Sequence, residues 1–201
     1  MTRNVAGPRW TVIVPVKPFD RAKSRLALEP DRRARLARRF TDHVLGELRR
    51  IPAVETVVVV GIAHPAADIG LADPGTMAAA VDRGRSWAAA HRAEYPIAVI
   101  PADLPALTAA TLGAALDAAS GHRRAFMPDR SGEGTTLLTS SSPAELAASY
   151  GPGSADAHRL LGLVEITGDW PGLRDDVDTL ADLERVARQG PTQEIGRLIA
   201  S

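Results

Sequence analysis

At 201 residues with 45% apolar composition the chain can bury one good core, and a single domain over residues 1–201 is the expectation. Lys plus Arg (24) equals Asp plus Glu (24), and that neutrality argues against nucleic acid as the partner, while a small phosphorylated ligand needs only local positive charge. With no cysteine, disulfides, thiolate metal ligands and a cysteine nucleophile are excluded, and the apolar run at 11–16 is too short for a signal or a membrane span. A cytoplasmic protein without a membrane partner is the natural expectation.

Residues 10–16 form an unbroken apolar, β-branched run, as for a central strand covered on both faces. The loop after it carries Lys17, Arg21, Lys23 and Arg25. Open α/β sheets place ligands at the carboxyl ends of their strands, and four cations there call for an anion such as a polyphosphate. A solvated basic loop would have the same composition. No Gly-x-x-x-x-Gly-Lys-Ser/Thr pattern occurs, which disfavours a P-loop kinase or GTPase.

Pro30 and Asp31 open a helix whose Leu36, Phe40, Val44 and Leu48 recur every four residues and leave the arginines outside. A buried strand at 56–60, a helix at 77–93 and a third strand at 97–101 complete a βαβ pattern. Asp103 follows that third strand at its carboxyl end. Thr108 is the better cap for the helix at 109–119, which frees Asp103 for metal binding.

Short strands are expected at 125–127, 136–139 and 163–166, and helices at 154–161, 179–188 and 193–200. Thr179 caps the first of the two closing helices, with Asp182 at the capping-box distance. Gly132, Gly134, Thr135 and Thr136 make a hydroxyl-bearing loop, and Tyr150-Gly-Pro-Gly-Ser154 puts flexible backbone before a helix start. The pair is either an anion site or a plain turn with a serine cap. His158, one turn into that helix, is left among packing residues. Asp175, Asp176 and Asp178 crowd like charges that Mg²⁺, shared with Asp103 and substrate phosphate, would relieve, although an acidic loop before a helix needs no metal.

Four of these pieces together resemble the guanylyltransferases of coenzyme F-420 biosynthesis, which act on 2-phospho-L-lactate or phosphoenolpyruvate: residues 17–25 with Ala-Lys-Ser-Arg-Leu; Gly134-Thr135; Gly151-Pro-Gly-Ser154 with His158; and Asp176-Val-Asp-Thr-x-x-Asp-Leu183. The resemblance covers nearly the whole chain. It implies a single-domain, Rossmann-like α/β nucleotidyltransferase fold of the nucleotide-diphospho-sugar transferase kind, with a mixed, mostly parallel sheet flanked by helices. It implies GTP as co-substrate, Mg²⁺ as cofactor, a small phosphorylated carboxylic acid as acceptor and functional coupling to the next enzyme of the pathway. By the same resemblance Asp103, Asp176 and Asp178 hold metal, Thr135, Thr136, Gly151 and Ser154 hold the acid, and Lys17, Lys23 and Arg25 meet the triphosphate as the catalytic cations. One departure is Ala78, which stands where related enzymes carry an Asn that contacts the nucleotide. The hydroxyl of Thr76 is the nearest replacement.

The residue types need no Ser-His-Asp nucleophile, because an ionised phosphate can attack a nucleotide directly. Two other readings share the motifs: a molybdopterin or sugar nucleotidyltransferase of the same fold, and a GTP-binding protein without turnover.

Overall fold

The computed structural model describes residues 7–23 and 26–189. Arg25 and the helix expected at 193–200 lie outside the described residues. The strands are β1 (Trp10–Pro15), β2 (Val54–Gly61), β3 (Ile69–Ala72), β4 (Ile97–Val99), β5 (Arg124–Pro128), β6 (Thr135–Ser140) and β7 (Val164–Glu165). They form one sheet in the order β3-β2-β1-β4-β6-β5-β7. All neighbours run parallel except β6, which is antiparallel to both β4 and β5.

The β-branched run of β1 is buried along its full length, as a strand covered on both faces must be. Val12 and Val14 face a cluster built with helices α1 (Pro30–Leu48) and α3 (Ala109–Ala119). Ile13 faces the other layer, with Val81 and Ala88 of α2 (Met77–His91) and Ala155 of α4 (Ser154–Leu160). The result is a helix–sheet–helix sandwich. The four-residue apolar spacing of α1 buries Leu36, Phe40, Val44 and Leu48 as expected.

A third cluster joins α1 to α6 (Leu180–Gln189) through Phe40, Val177 and Val186. The Thr179 and Asp182 capping box is present: Asp182 N–H donates to Thr179 Oγ1 at 3.2 Å and Thr179 N–H donates to Asp182 Oδ2 at 2.9 Å. Thr108 likewise caps α3, accepting from Thr111 N–H at 3.1 Å.

Two elements depart from the sequence expectation. The short strand β3 contains a glycine and only half-buries its side chains, so neither alternation nor an apolar run marks it. Helix α5 (Pro171–Arg174) is a single turn opened by proline, too short for a periodic signal.

Gly84 sets how closely α2 lies on the sheet. A Cβ there would stand 2.7 Å from Cγ2 of Ile13, inside van der Waals contact. Gly84→Val therefore pushes α2 away from β1, and urea unfolding is expected to show a loss of about 1–3 kcal/mol. An unchanged unfolding midpoint would contradict this packing.

Candidate active site

The parallel strands β1, β2 and β4 release their carboxyl ends at one edge of the sheet, and antiparallel β6 begins at that same edge. Leu138 of β6 pairs with Val99 near the end of β4. The strand order reverses direction at β1, between β2 and β4, the switch point where α/β sheets open a crevice. A cleft of about 550 Å³ lies there, reached by Lys17, Lys23, Asp73, Thr76, Asp103 and Asp178.

Three distant segments meet at its floor. The ammonium of Lys23 donates to Asp103 Oδ2 at 2.7 Å and to Asp178 Oδ1 at 3.1 Å. Its side chain is 8% exposed. Burial opposes the charge, but Asp103 and Asp178 outweigh it and the lysine pKa is raised. Lys23 is the one non-glycine residue with positive φ (56°) among the described residues, a conformation costing roughly 1–2 kcal/mol. The basic loop thus neutralises carboxylates of its own chain in the structure, where composition alone pointed to an outside anion.

The acidic segment is sorted: two of its three carboxylates meet cations and the third stays among like charges. Asp175 turns into the protein, 2% exposed, and pairs with Arg130 and Arg185, each at 3.3 Å. Asp178 meets Lys23. Asp176 lies partly buried near Asp103, Asp129 and Asp178, and burial together with those three carboxylates pushes its pKa up to about 7. Val177 N–H donates to the Asp103 carbonyl at 3.1 Å, which fixes the segment beside the end of β4.

Asp103 Oδ1 is buried with no hydrogen-bond partner among the described residues. An orphaned carboxylate oxygen beside a carboxyl that resists ionisation is a donor set suited to a hard divalent cation. Among the described residues no three acidic or imidazole groups are already gathered into a metal cage.

On the neighbouring strand the register slips between Met127 and Pro128, so that Met127 pairs with Leu137 and Pro128 with Thr135, and Thr136 is the extra residue. Regular alternation would put Thr135 on the same face as Leu137. The bulge re-aims it towards α4, as bulges beside functional sites do. Its Oγ1 lies 2.9 Å from His158 Nδ1, and Ser154 Oγ donates to it at 3.2 Å.

Ser149 N–H donates to His158 Nε2 at 3.0 Å, so that nitrogen carries a lone pair. The proton of the neutral ring is therefore on Nδ1 and points at Thr135. Burial lowers the His158 pKa to about 4 and keeps the ring neutral. Thr135 thus receives two donors, and His158 supports the bulged strand end. The hydroxyl of Thr136 is buried without a partner among the described residues. Gly151 (φ 151°) and Gly153 (φ 71°) form the turn that presents Ser154.

Not every expected residue joins the cluster. Lys17 lines the cleft but is exposed, and Arg21 is 69% exposed beside Asp20. Arg25 lies outside the described residues. Thr76 spends its hydroxyl oxygen as the cap of α2, accepting from Ala79 N–H at 3.2 Å, and Ala78 is exposed.

Residues 10–160 match the family model described as guanylyl transferase CofC like. The chain belongs to that family. A phosphoenolpyruvate guanylyltransferase of Streptomyces coelicolor is 40% identical over 90% of this chain and 92% of its own length. Phosphoenolpyruvate guanylyltransferase 2 of Rhodococcus jostii is 39% identical over 96% and 91%. Among solved structures, a nucleotide-diphospho-sugar transferase-type protein of Desulfovibrio desulfuricans superposes with a TM-score of 0.71 at 18% identity, covering 95% of this chain and 96% of that one. A Mycobacterium tuberculosis protein solved in complex with manganese gives 0.55 at 18% identity, over 90% of this chain and 99% of its own. These likenesses show the fold: this guanylyl transferase has the nucleotide-diphospho-sugar transferase architecture. Among the described residues no helix is long and apolar enough to cross a membrane.

Two outcomes follow. In metal-free protein Lys23→Met leaves two facing carboxylates without their cation, and the expected loss of stability is about 2 kcal/mol, below that of a fully buried pair because Asp178 is half exposed. Calorimetry should show Mn²⁺ raising the melting temperature of this variant more than that of the parent.

His158 binds fewer protons when folded than unfolded between its lowered pKa of about 4 and the ordinary value of 6.5. Its contribution is thus complete above pH 6.5 and is lost as pH falls towards 4, by roughly 3 kcal/mol over the whole interval. His158→Gln should flatten the stability profile in that window, and an unchanged slope between pH 6.5 and 4 would remove His158 from the account.

Proposed function

We propose that this guanylyl transferase moves GMP from GTP to phosphoenolpyruvate, releasing pyrophosphate and forming enolpyruvoyl-diphosphoguanosine for coenzyme F-420 biosynthesis. The observation that carries the reading is the meeting of Lys23, Asp103 and Asp178 in the cleft at the carboxyl ends of the parallel strands. Membership of the guanylyl transferase family and relatives named phosphoenolpyruvate guanylyltransferase support both substrates.

A phosphate oxygen of the acid attacks the α-phosphorus of GTP in line. The new P–O bond forms as the bond to the β-phosphate oxygen breaks, and both electrons leave with pyrophosphate. The nucleophile is already ionised at neutral pH, so no protein base is required. Lys17 and Lys23, with Arg25 of the same loop, meet the triphosphate and stabilise charge on the leaving group. Lys23 would exchange its carboxylate partners for phosphate oxygens as the nucleotide enters.

Thr136, Gly151 and Ser154 hold the phosphorylated acid, with Thr135 fixed behind them by His158. Asp103, Asp176 and Asp178 would hold Mg²⁺, which supplies Lewis-acid neutralisation of phosphate charge when bound. The pocket separates nucleophile and leaving group by position alone, and orientation then supplies much of the rate. With these substrates the enzyme would work in the cytoplasm, ahead of the next enzyme of the pathway.

The test is pyrophosphate release with GTP and Mg²⁺, offering phosphoenolpyruvate, 2-phospho-L-lactate and 3-phosphoglycerate separately, with the product identified by mass and the following pathway enzyme added in a parallel series. Release with phosphoenolpyruvate is expected. Asp103→Ala should lower turnover by at least about 100-fold, the scale of losing one preorganised electrostatic group, without changing the circular dichroism spectrum. Full turnover of this variant in Mg²⁺ would refute the metal assignment.

A further inference from the structure

The two ends of the cleft carry different groups: Lys17 and Lys23, the latter paired with Asp103 and Asp178, lie at the β1 side, and Asp73 lies at the other, in the loop between β3 and α2. The strand order sets β3 three places from β4, which at ~4.8 Å per strand separates their carboxyl ends by roughly 14 Å. That span suits a nucleoside triphosphate lying across the strand ends. With its triphosphate over the β1 loop and Asp103, its base comes over the ends of β2 and β3.

Asp73 lines this far end and is exposed to it. Its Oδ1 accepts the Gly75 N–H at 2.9 Å, a turn that holds the carboxylate at the mouth of α2. Among the described residues it has no cationic partner, whereas the other carboxylates lining the cleft, Asp103 and Asp178, both meet Lys23. The remaining acceptor sites of Asp73 are open to a ligand.

A fixed carboxylate is acceptor-only. Guanine presents two adjacent donors, N1–H and the N2 amino group, which match a carboxylate in bidentate fashion. Adenine presents the N1 lone pair at the corresponding position and would be repelled. We propose that Asp73 is the specificity-determining residue that reads the guanine base of the nucleotide. The inference rests on GTP as donor in the proposed reaction and assigns base recognition, which the Ala78 side chain cannot perform, to a different residue. That side chain carries no polar atom.

The test is Asp73→Asn. An asparagine keeps the oxygen that accepts the Gly75 N–H, so the turn survives, and it replaces one acceptor with a donor. Xanthine keeps N1–H and carries a carbonyl oxygen where guanine has its amino group, so the exchanged pattern matches the exchanged base. Equilibrium binding of GTP, XTP, ATP and 2′-deoxy-GTP is measured by calorimetry without acceptor, for parent and variant. The variant should bind GTP about 10- to 100-fold more weakly, the scale of hydrogen bonds to a charged group, and bind XTP more tightly than the parent by a similar factor.

Unchanged GTP affinity in the variant overturns the proposal and leaves the GTP reading standing. Weaker GTP binding without a gain for XTP also overturns it. If the parent distinguishes GTP from 2′-deoxy-GTP and the variant no longer does, with no gain for XTP, Asp73 belongs to the ribose instead. A parent that binds no GTP overturns both this proposal and the reading beneath it.

Discussion

The ammonium of Lys23 ties together three parts of the chain that are far apart in sequence. It bridges Asp103, 80 residues away, and Asp178, 155 residues away, at the mouth of the sheet. Burying a cation is costly, and only these carboxylates make it tolerable. The loop after β1 therefore bends into a left-handed conformation at Lys23 to reach them. The neighbouring cluster of Leu26, Phe40, Val177 and Val186 packs beside the same junction, so charge pairing and apolar burial hold the acidic segment against α1 together. A site organised in this way is preassembled but electrically self-satisfied. In the proposed reaction an incoming triphosphate would offer Lys23 a better anion and release the carboxylates for a cation.

The strand end at Thr135 and the turn before Ser154 are organised by hydrogen bonds in place of ion pairs. His158 accepts from Ser149 N–H and donates to Thr135, whose oxygen also accepts from Ser154. Phe126 and Tyr150 pack near the imidazole, with ring centroids 5.5 and 5.7 Å from it. Burial among these rings denies the imidazole a charge, and the Ser149 N–H fixes its tautomer. The hydroxyl of Thr136, by contrast, is unpartnered among the described residues. Within one bulged strand end the two threonines differ: Thr135 anchors the loop, and the Thr136 hydroxyl has no partner among the described residues.

Much of this was legible in the residues. The β-branched run of β1, the four-residue spacing of α1 and the caps at Thr108 and Thr179 each specify local structure through short-range sterics and hydrogen bonds, and each appears as expected. Strand ends and the family resemblance put Lys23 on a triphosphate and Asp103 with Asp176 or Asp178 on a metal; the direct pairing of Lys23 with Asp103 and Asp178 is not among those expectations. Short β3 and one-turn α5 escaped because too few residues are present to show a period. His158 was set aside because a lone histidine in a short helix carries no sign of the partners it will meet.

The sequence by itself determined the class of fold, the edge of the sheet at which the polar motifs would gather and the chemistry those motifs favour. These follow from local patterns and from residue types, which act over a few neighbours. Only the tertiary structure decided which charges pair. It sends Asp175 to Arg130 and Arg185, Asp178 to Lys23, and leaves Asp176 crowded by carboxylates. It also introduced the register slip that turns Thr135 towards His158. Electrostatic pairing and strand register depend on distances between segments remote in the chain, and those distances exist only once the sheet has closed around β1.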